Sequence, residues 1–181
     1  MDGLGNFWIY DFTASRLHRL DTLTYQSESF TVSCGYGITT DPVGRVWLGG
    51  SGAGGNCVSR FDPVTSTEQI VIVPGAEFLR GISVGLEKSE GYAWAADTGG
   101  TLFQIDLESV TVAGSYPIAP GSGMIGSAVD YQGYVWTVAQ TGTAYKFDLD
   151  TETFTSVGIG NSPYTYSDMT GMQLRNVVPV E

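Results

Sequence analysis

The sequence predicts an all-β chain built as four β-propeller blades, and three recurring phrases carry that prediction. A Gly-x-apolar-Trp phrase occurs at Gly5-Asn6-Phe7-Trp8, Gly44-Arg45-Val46-Trp47, Gly91-Tyr92-Ala93-Trp94 and Gly133-Tyr134-Val135-Trp136, and it accounts for all 4 tryptophans. The spacings are 39, 47 and 42 residues (8 to 47, 47 to 94, 94 to 136), about the length that one four-stranded blade takes.

An apolar-Asp phrase follows each tryptophan, at Leu20-Asp21, Phe61-Asp62, Ile105-Asp106 and Phe147-Asp148, with Thr24, Thr65, Ser109 and Thr151 three residues further on. Asp at the head of a tight turn accepts from backbone amides two and three residues later, which fixes a hairpin. The expected role of these aspartates is therefore structural. Pro63 presets the turn dihedral in the second copy.

A third phrase, of alternating small and apolar residues, precedes the later tryptophans: Gly37-Ile38-Thr39-Thr40-Asp41, Gly81-Ile82-Ser83-Val84-Gly85 and Gly126-Ser127-Ala128-Val129-Asp130. It suits an innermost strand crowded at the propeller axis. Outer strands follow each Asp turn, as at Glu68-Gln69-Ile70-Val71-Ile72-Val73 and Thr153-Phe154-Thr155-Ser156-Val157. No segment sustains a helical period, so essentially no helix is expected.

The repeat divides a single domain, 1–181, into blades at about 1–35 plus 168–178, 36–79, 80–123 and 124–167. The stretch 168–177 reads as an inner strand that joins the first, partial blade and closes the ring, hiding an edge that would otherwise recruit other chains. Three assemblies fit this phase: a self-closed four-bladed ring, an eight-bladed ring of two chains, or part of a longer propeller.

Bulk composition narrows the function. The 181 residues are 42% hydrophobic and 15% charged, with a net charge of −11. Eight scattered Lys and Arg cannot form the basic stripe that nucleic acid needs. No apolar stretch is long enough to insert into a membrane. Few lysines and abundant Ser, Thr, Gly and Tyr give the look of an extracellular or periplasmic protein, with any export signal outside this chain. The abrupt start at Met1-Asp2-Gly3 suits a fragment or a trimmed chain.

The phrases resemble the repeats of streptogramin lyase-like and NHL-like propellers. The best matches are Gly44-Arg45-Val46-Trp47 with Ser59-Arg60-Phe61-Asp62-Pro63-Val64-Thr65, and Gly133-Tyr134-Val135-Trp136 with Lys146-Phe147-Asp148-Leu149-Asp150-Thr151. The resemblance implies the propeller fold. It does not carry the lyase activity, which uses several histidines, a Glu and Mg2+. The chain's one histidine, His18, lies in the Asp strand of the first blade and reads as structural.

Other chemistry is sparse. There is no CxxC, HExxH, G-x-S-x-G or P-loop pattern. The run Gly49-Gly50-Ser51-Gly52-Ala53-Gly54-Gly55-Asn56 reads as a long flexible loop. Cys34 and Cys57 can pin it with a disulfide or remain two buried thiols. Asp11 and Asp97, each three residues after a tryptophan, are candidates to face the central channel and hold Ca2+ or Mg2+ with help from water or carbonyls. Tyr164, Tyr166 and Asp168 form a second candidate, flat rings with hydroxyls suited to a protein or glycan surface. The alternative is that they pack the closing seam.

The functional expectation is a non-catalytic exported module that binds or assembles. A metal-dependent lyase- or lactonase-like propeller enzyme and a purely structural, self-assembling propeller, with a homo-oligomer as its mark, are the alternatives.

Overall fold

In the computed structural model, residues 2, 4–52, 55–163 and 169 are described. They form 15 strands in four antiparallel sheets in chain order. The first sheet has three strands, β1 (Asn6–Asp11), β2 (Arg16–Asp21) and β3 (Ser27–Thr31). The second runs β4 (Cys34–Thr40), β5 (Val46–Gly52), β6 (Gly55–Asp62) and β7 (Thr67–Ile72). The third runs β8 (Leu79–Val84), β9 (Tyr92–Asp97), β10 (Thr101–Asp106) and β11 (Val112–Pro117). The fourth runs β12 (Met124–Val129), β13 (Val135–Ala139), β14 (Thr143–Asp148) and β15 (Thr153–Gly158). One 3-10 turn, Glu87–Ser89, interrupts the strands.

Each sheet is an up-and-down meander because its turns are written locally. Asp21 accepts from the amides of Leu23 and Thr24, Asp62 from Val64 and Thr65, and Asp106 from Glu108 and Ser109. The fourth residue after each Asp (Tyr25, Ser66, Val110, Glu152) takes a left-handed φ of 51–57°, which turns the chain into the next strand. The glycine of each Trp phrase also has positive φ, 83–87°. At Gly133 a side chain would in addition strike the Leu86 carbonyl of the neighbouring sheet.

Successive sheets stack through their inner strands, β4 beside β8 and β8 beside β12, with β1 beside β4. Three apolar seams result. Trp8, Leu17, Val46, Leu48 and Phe61 fill the first. Trp47, Val58, Ile82, Ala93, Phe103 and Ile105 fill the second. Trp94, Leu102, Met124, Val135 and Phe147 fill the third. In each, the tryptophan face of one sheet rests on the opposite face of the next.

Two expectations need adjustment. The closing seam between fourth and first sheets is not seen among the described residues, and the strand expected at 168–178 lies outside them apart from Met169. The glycine-rich run is a correction: Gly49, Gly50 and Gly52 belong to β5, and Gly55 and Asn56 to β6. Gly50 and Gly52 serve a crossing within the sheet. Cys34 in β4 and Cys57 in β6 form a disulfide with Cα atoms 6.0 Å apart. Gly52 lies opposite Cys34 and Gly50 opposite Cys57 on the strand between them. A side chain at Gly52 would press on the Cys57 sulfur and the Ser33 carbonyl.

Candidate functional site

Most carboxylates that could serve chemistry hold the scaffold instead. An aspartate six residues before the tryptophan latches it in three sheets. The Trp8 indole N–H donates to Asp2 at 2.7 Å, that of Trp47 to Asp41 at 3.0 Å, and that of Trp136 to Asp130 at 2.8 Å. The other carboxylate oxygen of each caps the following turn, accepting from Leu4 and Asn6, from Val43 and Arg45, and from Gln132 and Tyr134. Burial pushes the Asp2 carboxyl up, but the bonds from Trp8, Asn6 and Leu4 outweigh it and hold the group below its ordinary value. Opposite each of these tryptophans stands a cation on the next strand: Arg19 over Trp8, Arg60 over Trp47 and Lys146 over Trp136, about 6 Å from the rings.

Asp11 and Asp97 are placed by the same hairpin logic. Asp11 ends β1 and accepts from the amides of Thr13 and Ala14. Asp97 ends β9, is buried, and accepts from Glu77 and Thr101. It thereby ties the loop entering β8 to the turn entering β10. Among the described residues no three His, Cys, Asp or Glu side chains gather as cation ligands. His18 lies on β2, with Nδ1 2.7 Å from the Ser29 hydroxyl. Tyr164, Tyr166 and Asp168 lie outside the described residues.

The structure brings together a set that the sequence reading missed. At the ends of the first three sheets Phe12, Tyr36 and Phe78 form a row of edge-on rings, with centroids 5.5 and 5.6 Å apart. The guanidinium of Arg80 lies over Phe78, 5.4 Å from its centroid. Arg80 is aimed there by a bulge: Leu79 pairs with Asp97 and Gly81 with Ala96, leaving Arg80 as the extra residue. Its Nε is buried and has no hydrogen-bond partner among the described residues. Phe12 is exposed, and Tyr36, Phe78 and Arg80 are half-buried. Arg80 thus sets a guanidinium beside a row of three rings that reach the surface. The four residues span 12 to 80 in sequence, so no local pattern could have signalled the cluster.

No protein-family model matches the chain, and no curated protein matches it. Its sheet stacking is that of a β-propeller, and solved structures identify the type. Virginiamycin B lyase from Staphylococcus aureus superposes with a TM-score of 0.75 at 19% identity, covering 87% of this chain and 53% of that one. A streptogramin B lyase gives 0.74 at 16%, covering 86% and 52%. Hydrazine synthase from Kuenenia stuttgartiensis gives 0.74 at 14%, covering 87% and 48%. The chain thus has a streptogramin lyase-like propeller fold, and it spans about half the length of the proteins it matches. At these identities the likeness is one of fold.

Proposed function

We propose that the chain is a non-catalytic, exported propeller module that binds or assembles with other surfaces. The row Phe12–Tyr36–Phe78 with Arg80 carries this reading. Flat rings suit the faces of sugars and peptide side chains, and the guanidinium adds a charge-assisted hydrogen bond to a carboxylate. The ligand class is therefore an acidic chain molecule, glycan or peptide. The buried Cys34–Cys57 disulfide supports an oxidising compartment. Likeness to lyases at 16–20% identity lends this chain their fold alone.

The test is affinity electrophoresis through gels containing polygalacturonate, and in parallel polyglutamate. Retardation of the wild type in one of them, with Phe78→Ala and Arg80→Met each weakening it by about tenfold, is the expected result. Equal mobility of all three proteins in both gels would overturn the reading.

A further inference from the structure

We infer that two copies of this chain join head to tail, the fourth blade of each seating on the first blade of the other. This deepens the assembly half of the function proposed above and uses none of the residues of the aromatic row. Among the described residues one kind of seam is built three times, and one face of the first blade and one of the fourth have no partner sheet.

Consider first the face that each later blade offers to its predecessor. It is made by the residues on either side of the tryptophan and by the one before the hairpin Asp. Val46 and Leu48, Ala93 and Ala95, and Val135 and Thr137 are all 0% exposed, and Phe61, Ile105 and Phe147 are at most 2% exposed. The same positions in the first blade are Phe7, Ile9 and Leu20, and there Phe7 is 44% and Ile9 48% exposed. Large apolar side chains thus stand in water at positions where the other blades bury smaller ones.

The opposite face of the fourth blade is the matching half. On its tryptophan face, register places Trp136, Lys146 and Thr155 in one row across β13, β14 and β15, and Val138, Ala144 and Val157 in the next row of the same face. The corresponding faces carry Trp8, with Leu17 and Phe30 in the adjoining row, in the first blade, and Trp47, with Val58 and Val71, in the second, and these side chains pack against the blade that follows. Trp136 keeps part of its surface, and Val157 is 51% exposed. Arg60 donates to the backbone carbonyls of Leu107 and Glu108, in the hairpin of the next blade. Lys146 occupies the same position and borders a cleft of about 180 Å3 lined by Tyr134, Asp148, Thr153 and Thr155. The residues equivalent to Leu107 and Glu108 in the first blade are Thr22 and Leu23. A second copy would set their carbonyls before Lys146, as Leu107 and Glu108 stand before Arg60.

Curvature sets the number of copies. A self-closed ring of four must turn by a quarter circle at each seam. This chain instead superposes, over 87% of its length, on 53% of a chain about 1.6 times as long (0.87/0.53), so its arc leaves room for several more blades. Two heterologous seams then close one ring without an open end.

Light scattering on the size-separated chain reads the result. The wild type is expected at twice the 19.3 kDa chain mass. Ile9→Lys, on the first face, and Val157→Lys, on the second, are each expected at the single-chain mass. Both sites are exposed, so unchanged circular dichroism will show that the variants fold. An equimolar mixture of the two variants is expected to return to twice the mass, because one of its two seams has both faces intact. A wild type at the single-chain mass would overturn the proposal, as would a mass that climbs with concentration, which means open chains. A dimer unaffected by either variant, or a mixture that stays single, would overturn the head-to-tail seam. None of these outcomes depends on retardation in the ligand gels.

Discussion

The second and third blades solve one problem in two ways. Both bury a tryptophan completely, Trp47 and Trp94. In the second, Asp41 receives the indole N–H, caps the turn and pairs with Arg45 at 2.6 Å, while Arg60 covers the ring. In the third, the equivalent backbone position is Gly85: its amide donates to the Tyr92 carbonyl as that of Asp41 donates to the Arg45 carbonyl. No carboxylate is present there, Gln104 stands where Arg60 does, and the Trp94 indole N–H has no partner among the described residues. Trp94 is held by rings instead, with Tyr92, Tyr116 and Phe147 centroids 5.8–6.3 Å away. The comparison separates two contributions that the other blades confound. Packing alone positions the tryptophan, and the polar latch adds to it.

The largest effect tests the shared part. Trp47→Ala and Trp94→Ala are each expected to cost about 3–5 kcal/mol, the range for emptying a large aromatic site in a core. Trp136→Ala, at a partly exposed position, is expected to cost less in the single chain. Denaturant unfolding of the three variants checks this. If Trp94→Ala were much milder than Trp47→Ala, the latch and not the packing would be the main support.

A smaller and sharper effect isolates the latch. Phenylalanine keeps most of the ring and deletes the N–H. At Trp47 it leaves the buried Asp41 carboxylate short of a donor, with an expected cost of about 1–3 kcal/mol beyond the lost volume. At Trp94 it removes an N–H that already lacks a partner, so Trp94→Phe is expected to be milder than Trp47→Phe by roughly that amount. Equal losses would mean that Trp94 has an acceptor after all. Installing the latch by Gly85→Asp is expected to destabilise, because a side chain there meets the Ser89 carbonyl of the inserted turn.

How much of this the sequence showed follows the range of each interaction. The hairpin aspartates were legible because Asp21, Asp62 and Asp106 bond to amides two and three residues away, Asp106 taking the Ser109 hydroxyl as well. The latch was half-legible. Asp41 and Asp130 stand six residues before their tryptophans, but as the last residues of an inner-strand phrase they suggested no partner. Gly85 was invisible as an exception because the insertion of a short turn breaks the spacing. The glycines of β5 pointed to a loop by composition, since the disulfide that needs them joins strands on either side. The row Phe12, Tyr36, Phe78 and Arg80 draws on three blades, and its key residue is placed by a bulge that side-chain alternation does not reveal.

The smallest expected effect compares the charged rims of two seams. Between the second and third blades Arg45 meets Glu108 at 3.0 Å, and between the third and fourth Lys88 meets Asp148 at 3.0 Å and Asp150 at 2.8 Å. The bond from Arg45 holds the Glu108 carboxyl below its ordinary value, and the bond from Lys88 does the same for Asp148. Asp21 and Asp106 are also depressed, chiefly by backbone amides of their turns, from Thr24 and Ser109 respectively. For each group the folded value lies below the unfolded one, so its stabilisation is complete above the unfolded value and is lost as pH falls through the folded one. Melting temperature should therefore be level above about pH 5 and fall progressively below about pH 4. Salt distinguishes the contributions. The rim pairs reach solvent through Glu108 and Asp150 and should weaken in about 0.5 M NaCl, whereas the short turn bonds of Asp21 and Asp106 should persist. A Lys88→Met variant removes one rim at neutral pH and should flatten only part of the acid limb. If it abolished that limb entirely, the turn aspartates would have no share in the acid sensitivity, and the third seam would differ from the second by its charges as well as by its tryptophan.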